Sequence, residues 1–165
     1  MYEFIETLHK ELSITPNDIT ALEEEYRISI PTPLKDFYLK YNAAEISLCT
    51  FTQKELPNNT FEVHTIYPIK NSSFEHGVIL EEILHDDRMD GFIPANLIPF
   101  AKDQGGDRYY CDEKTGNVFF IPCDDIDNPE LVCENISDFL NNLKNVYCGT
   151  LSPLEINGKI LIKGK

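Results

Sequence analysis

Hydrophobic residues recur at helical spacing in the first forty or so positions and at alternating spacing after that, so the chain reads as a helical opening followed by a strand-rich middle. Met1, Ile5, Leu8 and Leu12 lie three or four apart with Glu3, Glu6, Lys10 and Glu11 between them, which predicts an amphipathic helix over Met1 to Leu12. Thr15 followed by Pro16 is a start signal, with Thr as cap and Pro at the first helical position, and Ile19, Leu22 and Tyr26 form the buried stripe. Glu23, Glu24 and Glu25 then face water. Thr32 and Pro33 repeat the signal, and Leu34, Phe37, Tyr38 and Tyr41 mark a third short helix stopped at Asn42.

From Ile46 the period becomes two, placing Ile46, Leu48 and Thr50 on one face before a polar turn from Thr52 to Thr60. Phe61, Val63, Thr65 and Tyr67 form a second strand that pairs back across that turn. Val78 to Met89 carries Ile79, Leu80, Ile83 and Leu84 at helical spacing and ends at Asp90 and Gly91, which predicts a fourth helix. The densest strand signal is Ile98 to Phe120. There Arg108 to Cys111 and Asn117 to Ile121 form a hairpin across Asp112 to Gly116, entered through the corner Asp103, Gln104, Gly105, Gly106 and Asp107. Asp124 to Glu130 is an acidic connection. Asn135 then caps a closing helix that runs to Tyr147 on Ile136, Phe139, Leu140 and Leu143, with Gly149 as its stop. In the remaining tail, residues 150–165, Leu154 to Ile156 and Lys159 to Lys163 flank Asn157 and Gly158, a favoured hairpin pair. Residues 1–149 thus read as one α+β domain with a mainly antiparallel sheet packed with helices.

Composition narrows the classes. At 165 residues, with 42% hydrophobic content and 18 aromatic side chains (10 Phe, 8 Tyr), a single core suffices without metal or disulfides. Cys49, Cys111, Cys123, Cys133 and Cys148 show no paired spacing and read as buried or half-buried free thiols. No long apolar run and no basic, apolar leader is present, so a cytoplasmic protein with no membrane role is expected. The net charge of −14 argues against nucleic acid as a direct ligand. Between Glu75 and Asp138 there are 16 acidic and 4 basic residues, a local balance of −12 that would steer a basic partner to this half.

Sequence motifs for chemistry are missing: no nucleophile elbow, phosphate-binding glycine pattern or zinc-protease helix occurs. His76, His85, Asp86 and Asp87 are near one another but fit an exposed helix end, and Asp124, Asp125 and Asp127 lack the glycine and glutamate offsets of a calcium loop. Asp103 and Asp107 can either bind their own loop amides or act as a carboxylate pair with a histidine, which keeps open a small-ligand protein or enzyme using the Asp103–Asp107 loop. No cofactor is expected.

The order of these signals resembles the SMI1/KNR4-type family of the SUKH superfamily. The first block is Leu22 to Glu25, Ile30 and Pro31, Leu34 to Tyr41 with Phe37, and Asn42; the second is Ile98, Pro99, Phe100 and Ala101 followed by Gly106, Asp107, Tyr110 and Gly116; a helix like Ile136 to Leu143 closes the pattern. Ala43 and Ala44 stand where the family usually has glycines, and Phe119 or Phe120 where it often has Trp. The resemblance implies an α+β fold in which Pro31, Phe37, Asn42, Pro99, Phe100, Gly106, Asp107, Tyr110 and Gly116 are structural, with no catalytic set. Bacterial members are mostly immunity proteins of polymorphic toxin systems. The expected partner is therefore a cognate toxin domain, a basic nuclease-type toxin by the charge argument, bound by a monomer through Glu81, Glu82, Asp86, Asp87, Asp124, Asp125 and Asp127. The fungal relatives make a regulatory or scaffold protein the rival, with Tyr67, Phe92 or Tyr109 as aromatic interface candidates in either case.

Overall fold

The computed structural model describes residues 1–146 and the backbone of 154–156 and 159–161. The first expected helix does not form. Ile5–Thr7 is instead a short strand, β1, followed by a 3-10 turn at Lys10–Leu12. An isolated twelve-residue helix is marginal in water. Here Tyr2 stacks on Phe4 at 5.1 Å and also meets Phe37 at 5.9 Å and Tyr41 at 5.5 Å, so tertiary aromatic packing overrides the local period. Met1, expected on the buried stripe, is 86% exposed.

Helix α1 (Pro16–Tyr26) starts as expected: Thr15 Oγ1 accepts from the Asp18 amide at 3.3 Å, and Asp18 Oδ2 accepts from the Thr15 amide at 2.8 Å. Helix α2 (Thr32–Tyr41) buries Leu34, Phe37 and Tyr38, with Pro31 at its cap position. Asn42 does more than end it. Its Nδ2 donates to the carbonyls of Leu12 and Ile69, and its Oδ1 accepts from the Ile69 amide at 2.8 Å, so one buried amide ties three segments together.

Strand β2 (Glu45–Ile46) pairs with β1, and β3 (Cys49–Thr52) pairs across the expected turn with β4 (Thr60–Val63). The buried parity differs from expectation: Cys49 and Phe51 point inward, not Leu48 and Thr50. The single strand expected from Phe61 to Tyr67 is broken at His64. Past it, β5 (Thr65–Ile66) leaves β4's sheet and joins the next one.

Helix α3 (Leu80–Asp90) is stopped by Gly91 at φ 71°, a left-handed position that suits glycine. Strands β6 (Leu97–Lys102), β7 (Arg108–Asp112), β8 (Val118–Ile121) and β9 (Glu130–Cys133) follow, giving a five-stranded antiparallel sheet in the order β5-β6-β7-β8-β9. The expected hairpin is thus the centre of a larger sheet. Strand β9 had no sequence signal beyond four residues beside Pro129, and its pairing with β8 makes it a strand.

Helix α4 (Ile136–Asn142) begins at the expected cap, Asn135, whose Oδ1 accepts from the Ser137 amide at 2.7 Å. It ends earlier than its period implied, because β10 (Lys144–Asn145) pairs with β3. Tyr147 and Gly149 lie outside the described residues. Strands β11 (Leu154–Ile156) and β12 (Lys159–Leu161) pair with Ile156 opposite Lys159, as the tail pattern implied, while Asn157 and Gly158 lie outside the described residues. The core sits between α4 and the sheets. Phe139, fully buried, meets Phe51 at 5.1 Å, Phe100 at 5.7 Å and Tyr109 at 5.8 Å. Gln53 Nε2 donates to the carbonyls of Leu131 and Val132 and so ties the end of β3's hairpin to β9. The result is a single-domain α+β fold with mainly antiparallel sheets.

Candidate partner-binding surface

Alternation along β7 sends Tyr109 and Cys111 into the main core and Tyr110 to the other face of the sheet. There Tyr110 packs with Leu97 and Ile121 into a small second cluster. Ile93, from the segment after α3, and Ile126, from the connection after β8, both pack against it, together with Phe119. This cluster therefore draws together the segment that follows α3 and the acidic connection after β8, more than thirty residues apart in the chain.

The expected acidic residues separate by environment. Glu82, Asp86, Asp124, Asp125 and Asp127 are exposed. Glu82 also accepts from the Ile79 amide at 3.1 Å, closing the first turn of α3. Asp87 departs from the expectation: it is 5% exposed, and Arg108 Nη1 donates to its Oδ1 at 2.9 Å. Burial raises its pKa while the Arg108 charge opposes the rise. Glu81 departs as well. It is half-buried, its Oε1 accepts from the Lys70 amide at 2.9 Å, and burial raises its pKa. Position on the helix explains the split, since 80, 83, 84 and 87 form its inner stripe and 82, 85, 86, 89 and 90 its outer one.

Of the three aromatic candidates only Phe92 is available to a partner. It is 71% exposed, beside Met89 at 73%, whereas Tyr67 and Tyr109 are buried. The Tyr109 hydroxyl donates to the Glu62 carbonyl at 2.6 Å. Met89 was not among the candidates. Its signal was available in the sequence as a large apolar residue on the polar side of α3's period.

The second sequence block has a structural explanation throughout. Asp103 Oδ1 accepts from the Asp107 amide at 2.9 Å, and Asp107 Oδ1 accepts from the Cys123 amide at 2.8 Å, so the loop's carboxylates are occupied by backbone. Gly106 at φ 98° and Gly116 at φ 75° occupy left-handed positions. Phe100 and Tyr110 are buried, and Pro99 lies opposite Tyr110 beside a register shift in β6. His64 and His76 line one cleft and His85 another, and neither is lined by Asp103 or Asp107. Among the described residues no group of three or more His, Cys, Asp and Glu side chains could hold a metal ion.

Cys49 and Cys111 are buried, with burial pushing each thiol up to about 12, and Cys133 is half-buried. Cys123 is exposed, against expectation, because it begins the acidic connection; Cys148 lies outside the described residues. No described helix is long and apolar enough to cross a membrane.

The SMI1/KNR4 family (SUKH-1) matches the chain over residues 13–142, from just before α1 to the end of α4. The chain belongs to this family. Comparison with the curated proteins gives no match. The matched span of this SMI1/KNR4 protein contains the whole five-stranded sheet and all four α-helices of the described residues, and the acidic connection that packs on the second cluster through Ile126.

Proposed function

We propose that this SMI1/KNR4 protein is an immunity protein that binds a cognate toxin domain and blocks it by stoichiometric occlusion, without turnover. The observation that carries the reading is the exposed aromatic Phe92, next to Ile93 of the second cluster, with the exposed acids Asp124, Asp125 and Asp127 on either side of Ile126 of the same cluster. A nuclease-type toxin holds phosphates with Lys and Arg, so such a partner is complementary in charge, and a central aromatic among polar groups is the usual anatomy of an energetic contact. Family membership supports the reading, because the bacterial members to which the sequence blocks are similar are mostly immunity proteins.

The test is co-expression with the toxic domain encoded beside this gene, scoring growth and recovery of a one-to-one complex. Growth rescue with a complex whose association slows with salt is expected. Unprotected cells and no complex would refute the reading and favour the scaffold alternative, which an unbiased pull-down then pursues.

A further inference from the structure

At the β5 edge of the sheet, away from β8 and β9, lies a cleft of about 410 Å³ whose charge runs against that of the whole chain. Ala43, Ala44, Ile66, Pro68, Phe74 and Val78 give it an apolar lining, and Ser72 and Ser73 add hydroxyls. Its basic groups are Lys102, His64 and His76, and no Asp or Glu lines it, in a protein with 28 acidic and 14 basic residues. Lys102 makes no ion pair among the described residues, so an incoming anion displaces no existing partner. Glu75, 3.7 Å from His76, stands outside the lining, and both side chains are almost fully exposed.

The loop that closes one side is held by its own contacts. The Gly77 amide donates to the Phe74 carbonyl at 3.0 Å, the Phe74 amide to Ser72 Oγ at 3.2 Å, and a Cβ at Gly77 would collide with that hydroxyl. This keeps Phe74 and Val78, both exposed apolar side chains, at the cleft. A crevice too narrow for water shares Ala43, Ala44, Ile66 and Pro68 with the cleft and is lined on its inner side by Tyr38, whose hydroxyl is buried without a hydrogen-bond partner.

We propose that this cleft binds a small molecule that joins an apolar body to a single carboxylate, the carboxylate on Lys102 and the apolar body along Ile66, Phe74 and Val78. The volume is that of a small-ligand site, and such sites combine apolar walls with few polar groups that fix orientation. One permanent cation matches one permanent negative charge. A phosphomonoester, with nearly two, would leave charge uncompensated against apolar walls. The proposal is independent of toxin binding, which uses other residues.

Octanoate titrated into the ¹⁵N-labelled full chain, with octylamine as the charge-reversed control, tests it. The net charge of −14 favours the amine everywhere else on the surface, so a preference for the acid isolates the cleft. Octanoate should shift the amides of Ala43, Ala44, Ile66 and Val78 and bind about tenfold tighter than octylamine, the scale of one charge-assisted contact. Lys102→Gln should abolish that preference with the spectrum otherwise intact, and Val78→Glu should weaken octanoate by a similar factor. Equal binding of the two probes, shifts centred elsewhere, or a preference that survives Lys102→Gln would overturn the assignment.

Discussion

The two faces of the five-stranded sheet obey one alternation and serve different ends. On the inner face Cys111, Val118, Phe100 and Tyr109 join a cluster that extends to every helix, and Phe139 of α4 fills its middle. On the outer face Leu97, Tyr110 and Ile121 make a small patch with Phe119 of β8, against which Ile93 and Ile126 pack from irregular segments. A large shared cluster fixes the fold. A small one, packed against loop residues, ties the segments that carry Ile93 and Ile126 to the sheet without committing much apolar surface.

The hardest test of this division is Phe139→Ala. It should cost about 3–5 kcal/mol, because aromatic contacts on three sides are lost and the cavity cannot collapse, read as a fall in the urea midpoint. A loss below about 1 kcal/mol would mean that α4 does not organise the inner face.

Next in size is the ion pair that joins α3 to the outer face. Arg108→Met leaves Asp87 buried without its partner and should cost about 2–3 kcal/mol, discounted from the fully buried case because Arg108 is partly exposed. The double variant Asp87→Leu with Arg108→Met should recover most of that loss. A double variant as unstable as the single one would show that the pair does more than neutralise itself.

Phe92→Ser sharpens the comparison from the other side. Stability should stay within about 0.5 kcal/mol of the parent, since an exposed side chain is removed. Toxin affinity should fall by about 2 kcal/mol or more if Phe92 is the central contact. Reversing Asp124, Asp125 and Asp127 to Lys should slow association at low salt and have little effect at high salt.

The smallest effects are expected at Lys70, which binds one carboxylate from solvent and one from the interior. Its Nζ donates to Asp18 Oδ1 at 3.0 Å, and its amide donates to Glu81. The Thr15 amide, the Lys70 ammonium and the Thr15 hydroxyl hold Asp18 down to about 2, from an ordinary 3.8. A depressed acid stabilises above its unfolded value, so this contribution is full above pH 3.8 and is lost as pH falls toward 2. Asp18→Asn should flatten the acid limb of the urea midpoint in that window. Glu81 has the opposite sign. Burial raises it, so its contribution is present at low pH and lost as pH rises through the folded value, and Glu81→Gln should raise the midpoint at neutral pH relative to acid.

Legibility in the sequence followed how local the cause was. The Thr15 cap before Pro16, the stop at Gly91, the cap at Asn135 and the hairpin around Gly116 were all readable, because each is settled by residues within a turn of one another. The failures lay where a distant partner outweighed a local period. Tyr2 was claimed by α2, β9 by β8, and the end of α4 by β3. The candidate surface divides in the same way. Its charge was legible as a balance of −12 over one stretch, but Asp86 and Asp87 are neighbours in the chain, and the packing of α3's inner stripe with Arg108 beside it separates a surface acid from a buried one.

By itself, then, the sequence determined the starts of α1 and α4, the turn around Gly116, the α+β class, the family and the acidity of the second half. All follow from short-range sterics, hydrogen bonding and composition. Tertiary structure alone decided which acids face water, that Phe92 and Met89 are exposed while Tyr67 and Tyr109 are buried, and that Ile93 and Ile126 meet on one cluster. Those outcomes depend on which apolar side chains cover one another across the sheet, and contacts between residues far apart in the chain leave no period within it to be read.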